Sequence, residues 1–138
     1  MEEKSQIEFS EFVKVGLLQE FPNFKDFIRY NEDILIIEIP SEKKFATFWI
    51  TTQDNEITIG FDNKNGECSW HTHMSLYGAY EPTDELKTVI NLIKGIFSGL
   101  EILVIDSNSV INLTRNPQND IKDYGKNRTL EFRNWNEI

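Results

Sequence analysis

Apolar and polar positions alternate most clearly in the middle of the chain. Glu56-Ile-Thr-Ile-Gly-Phe-Asp62 and Glu67-Cys-Ser-Trp-His-Thr-His-Met74 place Ile57, Ile59, Phe61, Trp70 and Met74 on one set of positions. Thr58, Gly60, Asp62, Ser69, His71 and His73 occupy the other. Period two with one apolar face predicts a half-buried strand pair. Asn65-Gly66 between the two runs suits a two-residue turn with positive φ at both positions. That register pairs Phe61 with Trp70 and Gly60 with His71, and turns both histidines away from the core.

The same pattern extends outward. Phe9, Phe12, Val13 and Leu17 make a helical stripe over residues 8–20, with Ser10 as a candidate N-cap and Pro22 as the stop. Asn23 can cap a short second turn through Phe24, Phe27 and Ile28. Strands are expected over 33–39 and 45–52; Ile34 and Ile36 make the first of these apolar on both faces, as in a strand covered on two sides. Asp54-Asn55 suits a tight turn that pairs Phe48 with Phe61 and Trp49 with Gly60. Gly60 then sits between Trp49 and His71, a dip in the sheet that an indole or a ligand can cover.

Beyond the hairpin, residues 75–82 read as a loop carrying Tyr77 and Tyr80. Thr83, followed by Asp84 and Glu85, predicts the start of a strong amphipathic helix over 83–98. Leu86, Val89, Ile90, Ile93 and Phe97 form its buried stripe, and Gly99 its C-terminal stop. Strands follow at 101–106 and 109–114, then a polar loop over 115–127, and a last strand over 128–135 through Leu130 and Phe132. The fold class is α+β. A mostly antiparallel sheet of about five to seven strands carries the 83–98 helix on one face, with the N-terminal helix at an edge or on the other face. Residues 1–138 read as a single globular domain.

Composition narrows the function. The net charge is −9 with a pI near 4.7. That disfavours nucleic acid and anionic membranes, whose binding depends on neutralising phosphate, and favours a basic protein partner. No apolar run approaches the roughly 20 residues needed to cross a bilayer, and the charged start Met1-Glu-Glu-Lys lacks the apolar run of a signal peptide; the cytoplasm is the expected location. Cys68 is the single cysteine, so no internal disulfide is possible, and its position reads as a small core residue on the face opposite His71.

Candidate chemistry is thin. His71 and His73 stand on one strand face about 7 Å apart at Cα, with Asp62 across the hairpin. That set can take zinc if a further ligand joins, or it is a solvated polar pair. A metal-dependent or small-ligand enzyme using this face is the alternative function. No phosphate loop, nucleophile elbow or dinucleotide motif is present. No cofactor and no catalytic residue is expected.

The remaining feature is aromatic. Trp49 on the polar face, Tyr77 and Tyr80 in the adjoining loop, and Trp135 near the end of the sequence are the material of interface hot spots. Either a partner covers Trp49 or another element of the chain does. The layout of Ile57-Thr-Ile-Gly-Phe-Asp62, then Trp70-His-Thr-His73, then an amphipathic helix resembles small bacterial immunity proteins of polymorphic toxin systems, over residues 56–105. The resemblance implies a non-enzymatic protein that binds and blocks a cognate toxin, and carries over no functional residue. The expected binding set is Trp49, Asp62, His71, His73, Tyr77 and Tyr80.

Overall fold

The structure, a computed structural model, describes residues 5–118 and 130–138. Five antiparallel strands form one sheet in chain order: β1 (Ile28–Asn31), β2 (Ile34–Pro40), β3 (Thr47–Thr51), β4 (Thr58–Asp62) and β5 (Cys68–His73). A second antiparallel sheet has the order β7-β6-β8, from β6 (Ile102–Asp106), β7 (Ser109–Thr114) and β8 (Glu131–Arg133). Helix α1 spans Gln6–Glu20 and helix α2 spans Pro82–Ser98. The class is α+β, as the periodicities predict, but the strands divide between two sheets. β7 lies near β5, and Asn63 Nδ2 of the β4–β5 loop donates to Ser109 Oγ at 3.5 Å, but β7 pairs its backbone with β6. Residues 119–127 of the stretch expected as a loop, and 128–129 at the start of the expected last strand, lie outside the described residues.

Both helices cover the same face of the five-stranded sheet. Phe9, Val13 and Leu17 of α1 and Val89, Ile93 and Ile96 of α2 share one buried core with Leu35, Ile37, Phe48, Ile50, Ile59 and Phe61. The expectation that α1 sits at an edge or on the far face is therefore corrected. Gly16 is the local reason: a Cβ there would run into Leu86 of α2, so the glycine lets the two helices approach. Hydrogen bonds fix the other side of α1. Ser10 Oγ donates to Asp33 O at 2.6 Å and lies 2.7 Å from Thr52 Oγ1, which in turn accepts from Leu35 N at 2.9 Å. Ser10 is thus a buried anchor inside the helix, and Ser5 is the N-cap, accepting from Glu8 N at 3.2 Å.

Helix α1 ends before Pro22, which opens a 3-10 turn, Pro22–Phe27, in place of a turn capped by Asn23. Helix α2 starts at Pro82, one residue ahead of the Thr83 cap that the sequence suggests. Proline fits there because the first N–H groups of a helix have no internal partner. Gly99 closes α2 in the left-handed conformation, φ 84. Of the stripe expected on α2, Val89 and Ile93 are buried, while Leu86, Ile90 and Phe97 are half-buried against the core. On the outer face Ile34 and Ile36 stay half-buried, so β2 is not sealed on both sides.

The two hairpin turns of the central strands differ from each other. Asp54 and Asn55 have φ 60 and 56, the two-residue turn with positive φ at both positions. At the second turn only Gly66 has positive φ, at 78. Asn63 N donates to Glu67 O at 2.9 Å and Gly66 N to Asn63 O at 3.0 Å, closing a three-residue loop in place of the expected two-residue one. A bulge between Phe61 and Asp62 absorbs the odd residue, with Ser69 as the extra member of β5. The expected pairs Phe61–Trp70 and Gly60–His71 are therefore recovered beyond the bulge.

Candidate functional site

The outer face of the five-stranded sheet carries a row across three strands. Trp49 pairs with Gly60, and Gly60 with His71. A Cβ on Gly60 would overlap the Trp49 indole and stand 2.6 Å from Trp70 O, so the indole seats on the bare glycine. Its Nε1–H donates to Asp62 Oδ1 at 2.9 Å. One bare residue beneath the ring and one acceptor at its N–H hold a half-buried tryptophan in a single pose. The cover over Gly60 is thus the protein's own indole, and neither helix lies over Trp49.

The bulge reverses the reading of Cys68. Ser69 Oγ folds back to donate to Phe61 O at 3.1 Å, and Cys68 turns outward. It is exposed, with Sγ 3.9 Å from His71 Nδ1, so it is neither a core residue nor on the face opposite His71. Partial burial holds its thiol above the usual range, and the nearby Asp62 carboxylate pushes it further, against a smaller opposing effect of the Trp70 backbone. A thiol kept protonated this way is a poor nucleophile, despite the imidazole beside it.

His73 is the more engaged histidine. Its Nδ1 shares a 2.8 Å hydrogen bond with Thr58 Oγ1 and lies 3.5 Å from Glu56 Oε1. Glu56 Oε1 also accepts from Ser75 Oγ at 3.1 Å, which ties the histidine strand to the following loop. The His71 and His73 rings meet edge to face, with centroids 5.4 Å apart. Tyr77 and Tyr80 are 50% and 77% exposed, beside Leu76 at 74%, so the loop presents apolar surface to solvent. Among the described residues no ring contact or hydrogen bond joins either tyrosine to the histidines; Ser75 is the link.

Trp135 does not belong to this surface. It packs in the core, with ring centroids 5.7 Å from Phe97, 6.1 Å from Phe61 and 6.3 Å from Phe48. Apolar surface of that size finds a buried place when a turn can carry it inward. Here Asn134 starts a one-turn helix, Trp135–Glu137, with a reciprocal capping box to Glu137.

Burial raises the Asp62 carboxyl above its ordinary range; the Trp49 N–H opposes this and the Glu38 carboxylate adds to it. Among the described residues no three His, Cys, Asp or Glu side chains converge on a point that could hold a metal ion. Beside Trp49 a depression of about 300 Å³ is lined by Thr51, Asp54, Glu56, Thr58 and His73, the lower end of the range of small-ligand pockets. Of these, Asp54 and Glu56 are lining residues that the sequence does not single out, because the stretch between β3 and β4 reads there only as a tight turn. No described helix is long and apolar enough to cross a membrane. No family model, curated protein or solved structure matches the chain.

Proposed function

We propose that this chain is a non-enzymatic, protein-binding inhibitor of the toxin-immunity type, which docks its partner on the outer face of the five-stranded sheet. The observation that carries this reading is the pinned Trp49. A rigid aromatic anchor, fixed by Gly60 below and Asp62 at its N–H, keeps its area available without ordering cost on binding. Support comes from the surroundings: exposed His71 beside it, Leu76, Tyr77 and Tyr80 in the next loop, and two helices committed to the opposite face. The net charge of −9 favours a basic partner and fast, salt-sensitive encounter.

The test is to induce the open reading frame that adjoins this one in the genome, with and without this chain. Growth arrest relieved by the parent chain, and no longer relieved by a folded Trp49→Ala/His71→Ala variant, is the expected result. An adjoining product that is harmless, or relief that the double variant retains in full, overturns the reading.

A further inference from the structure

We propose that the depression beside Trp49 is a receptor for a single arginine side chain of the partner. This rests on the reading that the outer face binds a protein, and it names the chemistry that the face selects. The depression holds two carboxylates, Asp54 and Glu56, an indole wall, and the Thr58 hydroxyl with the His73 ring as further hydrogen-bonding groups. Among the described residues no lysine or arginine lines it. Among the described residues Asp54 has no ion pair, and the hydrogen-bonding and ion-pair contacts of the Glu56 carboxylate are the His73 ring and the Ser75 hydroxyl. Arg29, the cation across the same face, is committed to Glu38. The depression is thus a concave acidic site in which, among the described residues, only the His73 ring stands against the two carboxylates.

Guanidinium fits this set better than ammonium. It is planar and weakly hydrated, stacks on indole, and accepts two carboxylate partners through its fork of donors. The walls are also preformed. Asp62 and Gly60 fix the Trp49 ring, Ser75 and His73 hold Glu56, and the positive-φ turn at Asp54-Asn55 fixes the backbone that carries the second carboxylate. A cation entering here would order little that is not already ordered.

The experiment needs no partner. The full-length ¹⁵N-labelled chain is titrated with N-acetyl-arginine amide, N-acetyl-lysine amide and the neutral isostere N-acetyl-citrulline amide. The Trp49 indole N–H and the Glu56 and Thr58 amides report the depression. A saturable shift with the arginine probe is expected, several-fold weaker with lysine and absent with citrulline. It should vanish in Asp54→Asn/Glu56→Gln, which keeps a turn-tolerant residue at position 54 and leaves the remaining spectrum in place. No saturable shift, an equal shift with citrulline, or a shift that survives the double variant overturns the proposal. Arginine binding with no effect of the face variants on growth relief sinks the inhibitor reading alone. Growth relief that depends on the face, without arginine binding, sinks only the pocket.

Discussion

At the level of single residues, Gly60 and Trp49 depend on each other. Gly60→Ala places a methyl against the indole and 2.6 Å from the Trp70 carbonyl, and a backbone oxygen cannot step aside cheaply. The expected cost is about 1–3 kcal/mol in urea denaturation, together with a displaced Trp49. A variant as stable as the parent, with an unchanged tryptophan emission spectrum, would refute the seating. Trp49→Phe keeps a ring over the glycine but removes the N–H that lowers the Asp62 pKa. The Asp62 carboxyl, already raised by burial, should therefore titrate at still higher pH, read from its ¹³C carboxyl resonance. An Asp62 titration unchanged in the variant would mean that the bond does not matter. This row was legible in the sequence because Asp54-Asn55 and the alternation set strand pairing independently of distant contacts. Cys68 was misplaced because a three-residue loop and a two-residue loop both use Asn-Gly, and the bulge that distinguishes them lies two strand positions away.

At the level of elements, Glu85 is the joint between α2 and the central sheet. It stands in the first turn of α2, 5% exposed, and accepts from Ile57 N at 2.9 Å. Glu85→Ala leaves that buried N–H without its acceptor and should cost about 1–3 kcal/mol. Glu85→Gln keeps an acceptor and removes the charge, which isolates the pH effect. Burial raises the Glu85 pKa above 4.5, with Glu56 adding and the Ile57 N–H opposing. The fold therefore favours the protonated form. That contribution is complete below 4.5 and is lost as pH rises through the raised value. Stability of Glu85→Gln minus that of the parent should grow from acid to neutral pH, by urea midpoints on both proteins. A difference that stays flat or shrinks would remove this role. Periodicity identifies the amphipathic face of α2 but not a buried carboxylate on it, since Glu85 also suits an exposed first turn. The short β1 edge strand was missed for a similar reason: Ile28-Arg-Tyr-Asn31 has one half-buried position in four and no alternation to read.

At the level of the whole molecule, an aromatic cluster joins the five-stranded sheet, α2 and the turn after β8 from distant parts of the chain: Phe48, Phe61, Phe97 and Trp135. The segment carrying Trp135 is clasped by the loop after β2, where Lys43 N and Ser41 Oγ each donate to Ile138 O at 2.9 Å. Trp135→Ala should cost about 3–5 kcal/mol in urea denaturation; a midpoint equal to the parent's would show that the cluster is not a core. Nothing local in Arg133-Asn-Trp-Asn-Glu137 marks that tryptophan as interior, which is why the sequence suggests a surface ring. The division of strands between two sheets was hidden likewise, because apolar alternation shows that a segment is extended but not which neighbour it pairs with. The bulge at Ser69 has one more consequence, for the bench. It delivers the molecule's single thiol to the rim of the outer face, so a maleimide fluorophore attaches at one known point beside His71 without any engineered cysteine. The raised Cys68 pKa makes this labelling slow at neutral pH and faster in mild alkali, and the dye then reports occupancy of the face directly.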